Sequence, residues 1–195
     1  MNKQTLAFFF WLALFLSSPL EAVVMIPLSL ADLTARADAV VRGVVLSKEC
    51  QRDASGRIYT KVELKVSEVW KGQLPSERLT VVHGGGVLGR ERVEIAGQVE
   101  YKAGEEVVTF VVFNQRHEAV TLGLAQGKFH VWKDSGSNTL LVRNPFHGSA
   151  TVSPSKETEN NPTPELLAAG RNTNSKIQQR LTLAELRDQV KGAAK

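Results

Sequence analysis

From Ile58 to Val66 the chain alternates without a break, with Ile58, Thr60, Val62, Leu64 and Val66 on one face and Tyr59, Lys61, Glu63 and Lys65 on the other. A period of two predicts a strand with one face in a core and one in water. The pattern then slips, because Val66 and Val69 are three positions apart, which predicts a β-bulge near Ser67-Glu68 that bends the strand. A long bulged strand suits a small closed barrel, which must turn corners. Upstream, Ala39 to Leu46 carries valines on both faces and predicts a strand at least partly covered on both sides. Downstream, further strands are predicted at Leu79–His83, Arg92–Ile95, Val107–Phe113, Val120–Leu124, Lys128–Trp132 and Leu140–Val142. Turn residues separate them (Asp53–Arg57, Ala103-Gly104, Gln126-Gly127, Asp134–Ser137), and no helical period intervenes. This predicts a mainly β fold, an antiparallel barrel or sandwich.

Two helices frame the strands. Ser29 is placed as an N-cap with Asp32 at N3 and Leu28 able to pack on Leu33, which predicts a short helix from Leu30 to Arg36. Near the end, Thr182 and Glu185 form a capping-box pair, Leu181 meets Leu186, and Leu183, Leu186 and Val190 make a narrow apolar stripe. That stripe predicts a terminal helix docked on the barrel or on a partner. Between them, residues 148–178 are rich in Ser, Thr, Asn, Pro and Gly and read as a flexible linker. Thr163-Pro164-Glu165 and Gly170 could frame one short helix inside it. The expected organisation is a signal segment at 1–22, a barrel domain at 23–147, the linker at 148–178 and the C-terminal helix at 179–195.

The signal segment follows from one apolar run. Leu6 to Leu16 is unbroken, preceded by Lys3 and followed by Ser17-Ser18-Pro19 and a small residue at Ala22. The run is about half of the roughly 20 residues a spanning helix needs, so a secretory signal cut after Ala22 is expected. Export to a periplasmic or extracellular space follows, with no stable membrane anchor. Cys50 is the single cysteine, so no disulfide can form within the chain. The roughly 170 residues that remain must hold together by packing, and that length suffices for one domain. Lys and Arg outnumber Asp and Glu by 24 to 20, with the signs interspersed, which suits a solvated surface better than a polyanion track.

The stretch VVHGGGVLGRER (81–92) holds three candidate chemistries. His83-Gly84-Gly85-Gly86 matches the oxyanion loop of some lipases, Gly84, Gly86 and Gly89 fit a dinucleotide fingerprint, and Gly84 to Arg90 approaches a phosphate loop. A phosphate loop needs Lys and Ser or Thr after its last glycine, but Arg90 and Glu91 stand there. The dinucleotide fingerprint needs a following helix, and RERVEIAGQVEY alternates like a strand. The lipase reading needs G-x-S-x-G, which occurs nowhere in the chain. The triplet therefore reads as a mobile loop between strands. His83, His117, His130 and His147 lie on separate segments without metal-ligand spacing, and Glu105-Glu106 read as turn charges. No catalytic residue, metal or cofactor is expected. Tyr59, Trp70, Tyr101 and Trp132 could stack bases beside Arg42, Lys61, Lys65 and Lys71, but export argues against nucleic acid as partner.

One order of segments resembles a known family. ADAVVRGVV, YTKVELKVSEVWKG, LTVVHGGG, AGEEVVTFVVF and GKFHVWKD, spread over roughly Leu28 to Val142, resemble the netrin-like module of tissue inhibitors of metalloproteinases. The shared features are the Ala37–Val40 strand opening, the long strand closing in Trp70-Lys71-Gly72 and the late hydrophobic strand. The same order is similar to that of a group of exported bacterial proteins without assigned function. The resemblance implies an OB-like β-barrel. The inhibitors' zinc-chelating N-terminal cysteine has no counterpart, since the expected mature chain starts at Val23 and Cys50 stands alone. The expected function is an exported, non-enzymatic module binding a protein or envelope component. The binding residues expected are His83, Gly84, Gly85, Gly86, Trp70 and Trp132. The alternatives are an inhibitor or companion of an extracellular metalloprotease, and a hydrolase using the His83–Gly86 loop.

Overall fold

The computed structural model of the chain describes residues 26–148 and 180–194. The expected signal segment, the linker beyond Gly148 and the short helix suggested by Thr163–Gly170 lie outside these residues. The first helix, α1, spans Leu30–Arg36 as its caps predict. Ser29 Oγ accepts the Asp32 N–H at 3.0 Å and Asp32 Oδ2 reaches back to the Ser29 N–H at 3.4 Å. At its other end Lys71 Nζ donates to the Thr34 and Ala37 carbonyls at 2.6 and 2.7 Å, supplying partners and positive charge to orphan acceptors.

Among the described residues nine strands follow: β1 Ala39–Arg52, β2 Ile58–Lys71, β3 Arg78–Gly84, β4 Gly86–Leu88, β5 Glu91–Val93, β6 Glu106–Phe113, β7 Ala119–Thr121, β8 Lys128–Lys133 and β9 Leu140–Arg143. Five of them close a ring in the order β1-β2-β3-β7-β6, with β6 returning to β1 through Ala39–Val44. The seam is the parallel pairing of β3 with β7 at Val81↔Ala119, where the sequence pattern predicted antiparallel neighbours throughout. This is an OB-like barrel. The other edge of β6 is shared, with β7 beside Val111–Phe113 and β8 beside Glu106–Thr109, and β9 extends the sheet past β8.

Residue alternation sorts the side chains into two cores. Val41, Val45, Val62, Leu64, Val81, Val107 and Val111 fill the barrel. Val40, Val108, Phe110, Phe129 and Val142 face outward under the helices. β1 is thus partly covered on both sides, as its valine density predicts, with Val40, Val41 and Val45 buried and Val44 exposed. Tyr101 plugs the barrel, fully buried, its hydroxyl 2.8 Å from both Thr109 Oγ1 and Thr121 Oγ1. Burial pushes its phenol up to about 12, against the lowering effect of those two hydrogen bonds.

The register of β1 against β2 skips Ser67 and Trp70 on β2 and Leu46 on β1. The bulge predicted at Ser67-Glu68 is therefore present, with two more to complete the bend. Gly43 sits at the same corner, where a Cβ would lie 2.5 Å from the Lys65 carbonyl oxygen. Across it Arg42 bridges Glu68 at 2.5 Å and Glu106 at 2.7 Å, tying β2, β1 and β6 together. The expected strand at Val120–Leu124 stops at Thr121, because Gly123 and Leu124 take positive φ and the chain turns into a 3-10 helix at Leu124–Gly127.

The terminal helix, α2, spans Leu183–Ala193 and carries the predicted capping box. Leu183, Leu186 and Val190 are buried with Leu33 and Trp70, so the stripe docks on the barrel's outer core. No helix among the described residues is long and apolar enough to cross a membrane.

Candidate functional site

The β1–β2 turn begins one wall of a groove. Asp53 Oδ1 accepts the N–H groups of Ser55 and Arg57, both at 2.9 Å, and Gly56 takes φ +84°. Such Asx-type bonding fixes a tight turn without help from the rest of the fold. The side-chain bond from Ser55, then the backbone bond from Arg57, holds the Asp53 carboxyl far below the usual carboxylate range. The β6–β7 turn uses the same device: Asn114 Oδ1 accepts from Arg116 and Glu118 N–H groups at 2.9 Å, and His117 takes φ +58°. The ring closure brings these two turns to the rim of one groove. Between them lie the end of β3 and the β4–β5 hairpin, and together they enclose a groove of about 710 Å³.

The groove is apolar inside and charged at its rim. Ile58, Val82 and Val120 come from the barrel strands, and Val93 and Ile95 from the hairpin and the segment after it. Arg52 meets Glu91 at 2.7 Å, Arg57 meets Asp53 at 3.0 Å and Arg116 approaches Glu118 at 3.9 Å. Tyr59, half-buried on the wall, donates its hydroxyl to Gln51 at 3.1 Å.

His83, Gly84 and Gly85 line this groove, whereas Gly86 lines a separate cleft with Lys48 and Cys50. His83 is 9 % exposed, with Nδ1 3.1 Å from the Gly84 carbonyl oxygen. Burial, with a smaller effect from nearby Lys48, pushes its imidazole below the usual histidine range, while the Gly84 contact works the other way. The triplet is not the loop the sequence suggests. Gly84 ends β3 and Gly86 begins β4, so the chain turns from barrel to hairpin within one residue. Gly85 and Gly86 take φ +75° and +137°, and a Cβ on Gly86 would lie 2.5 Å from Thr60 Oγ1 and 2.7 Å from Cys50 Sγ. These glycines are there for close approach of backbone.

The other expected site residues lie elsewhere. Trp70 is 6 % exposed in the outer core, its Nε1 donating to Glu68 at 3.0 Å. Trp132 stacks on His130 with centroids 5.9 Å apart, under the Arg143 guanidinium at 5.1 Å, away from the groove-lining residues. Tyr101, a stacking candidate by sequence, is interior, while Tyr59 does line the groove. His147 bonds the Leu28 carbonyl at 2.9 Å, so the four histidines stay apart. Glu105 pairs with Lys128 at 2.5 Å and Glu106 with Arg42, each away from the groove. Among the described residues no three His, Cys, Asp or Glu groups converge as a metal would require. Sequence reading missed Arg52, Arg57, Asn114 and Arg116, whose signal was that of ordinary turn residues.

Fold and groove together define a small OB-like barrel with a ligand-sized cleft flanked by its β1–β2 and β6–β7 turns. No protein-family model matches the chain, and no curated protein does.

Proposed function

We propose that this protein is an exported, non-enzymatic β-barrel module that binds a protein or cell-envelope component, with the groove as its seat. The observation that carries the proposal is the groove's position. It lies against β2 and β3 between the turns that join the first to second and the fourth to fifth strands of the ring, where OB barrels bind their ligands. A cleft of this size with an apolar lining and a few polar groups suits recognition. The non-enzymatic reading is supported by the surroundings of His83. Its Nδ1 faces the Gly84 carbonyl, and among the described residues no carboxylate, hydroxyl or thiol is hydrogen-bonded to the ring. The export part rests on the Leu6–Leu16 run and the small residue at Ala22. The netrin-like segment order agrees with a binding role.

The test is ligand retention. The chain is incubated with envelope extract and culture fluid, and what stays bound is compared with that on Val120→Trp, whose indole would fill the groove. A ligand held by the native chain and lost from V120W is expected. Equal retention by both would overturn the assignment.

A further inference from the structure

Two arginines of the groove keep far more of their side chains in water than the carboxylates that face them. Arg57, from the β1–β2 turn, is 71 % exposed against 18 % for Asp53. Arg116, from the β6–β7 turn, is 67 % exposed against 31 % for Glu118. We infer that the groove takes an extended, acidic segment of a partner polypeptide, which seats an apolar side chain on the groove floor and brings carboxylates to Arg57 and Arg116. This rests on the binding reading above and names the partner chemistry of that site.

The lining holds three arginines and three acids, so exposure and commitment decide the sign it presents. The acids are spent within their own turns. Asp53 Oδ1 accepts the N–H groups of Ser55 and Arg57 and the Ser55 hydroxyl, and Oδ2 takes the Arg57 guanidinium at 3.0 Å. Glu118 Oε2 accepts from Asn114 Nδ2 at 2.9 Å, and Arg116 Nε stays 3.9 Å from it, beyond hydrogen-bond reach. Among the described residues the Arg116 guanidinium therefore donates no hydrogen bond. The third pair, Arg52 and Glu91 at 2.7 Å, is closed and favours neither sign. Guanidinium donors left in water are matched by a carboxylate arriving from outside.

The strand register places the apolar floor. Pairing of Lys61 with Val82 and of Tyr59 with Gly84 puts these four on the outer face of the barrel wall. Val120 faces outward too, because Ala119 and Thr121 on either side of it are buried in the barrel. Ile95 packs on Gly84, and Ile95 and Val93 leave apolar surface exposed for a partner to cover. An extended chain suits this arrangement. β5 lines the groove through Glu91 and Val93 and, among the described residues, pairs with β4 alone. Its second edge can take main-chain bonds from an added strand, which a small amphiphile would not use. A nucleic acid would need open ring faces for its bases. Tyr59 is the sole Phe, Tyr or Trp in the lining, its hydroxyl held by Gln51 and its ring 5.8 Å from Lys61 Nζ.

In an extended peptide every second side chain shares a face, so Glu-Thr-Leu-Thr-Glu presents one leucine between two carboxylates. The nitrogen-15-labelled chain is titrated with this peptide, acetylated and amidated, at low and at physiological salt. The comparison probes are Gln-Thr-Leu-Thr-Gln and Glu-Thr-Gly-Thr-Glu blocked in the same way, octanoate and an oligothymidylate. The acidic peptide is expected to move the amides of Tyr59, Gly84, Gly85, Arg116 and Val120. Its glutamine counterpart should bind about tenfold more weakly, about threefold for each exposed ion pair, and salt should narrow the gap. With Arg57→Gln and Arg116→Gln combined, the two peptides should bind alike. The main comparison is read on the native chain, so the outcome does not depend on the variant folding. Equal binding of the acidic and glutamine peptides there would overturn the acidic partner, and equal binding of the leucine and glycine peptides would overturn the apolar seat. Tighter binding of octanoate would replace the polypeptide by a small amphiphile, and tighter binding of oligothymidylate would replace it by a nucleic acid. A ligand lost from V120W, with groove amides silent to every peptide, would sink the polypeptide partner and leave the groove a binding site. Groove amides that respond to no probe, together with equal retention by V120W, would overturn the binding reading itself.

Discussion

Gly86 shows how much a single missing Cβ decides. At φ +137° only glycine is comfortable, and a methyl there would also strike Thr60 and Cys50. Gly86→Ala should therefore lose about 3 kcal/mol in urea denaturation. Gly56→Ala, with φ +84° and open space around it, should lose only about 1–2 kcal/mol. His83 makes a second claim at this scale. The fold holds its imidazole neutral below its ordinary value of 6.5, so near and below that pH the unfolded chain binds the proton more readily. Stability from this residue is complete above about pH 6.5 and is lost as the pH falls towards the depressed native value. Urea midpoints between pH 8 and pH 5 should fall more for the native chain than for His83→Phe, the other histidines being common to both. Equal slopes would contradict the neutral, buried ring. His83 itself was visible in the sequence; that its ring would be buried was not, because that depends on what packs over it.

Among the elements, those with local rules were the legible ones. Ser29, Asp32, Thr182 and Glu185 announced both described helices, since capping uses neighbours in the chain. The Val66–Val69 slip announced the bulge at Ser67. By contrast β1 runs on to Arg52, past the expected end at Leu46, because Ser47, Lys48 and Glu49 pair with β2 while exposed on both faces. A solvated ribbon has no apolar alternation to reveal it. The docking of α2 gives a graded test. Leu186 is fully buried, and Leu186→Ala should lose about 3 kcal/mol. Thr182→Ala, which removes a cap, should lose about 1 kcal/mol. If both were silent in thermal or urea unfolding, the helix would not be part of the cooperative unit.

In the whole molecule, the groove is the product of closure. Its walls come from Arg52–Tyr59, Val82–Gly85, Glu91–Ile95 and Asn114–Val120, four stretches that meet only when β3 finds β7. Three of the four read as ordinary turn or strand end, which is why sequence reached only His83, Gly84 and Gly85 of this groove and added Gly86 and two tryptophans that lie outside its lining. Trp70 and Trp132 share the chemistry of a binding surface but sit on strands whose outward faces point elsewhere. The seam itself is a single parallel pair, so it is both the narrowest contact in the ring and the one on which the site depends. Nuclear Overhauser spectra of the labelled chain test it directly. Cross-peaks are expected between Val81 and Ala119, and between the Ile95 δ-methyl and the Gly84 α-protons, which pack together at the groove wall. Strand contacts elsewhere in the sheet with neither of these pairs present would mean an open sheet, without the cleft assigned here.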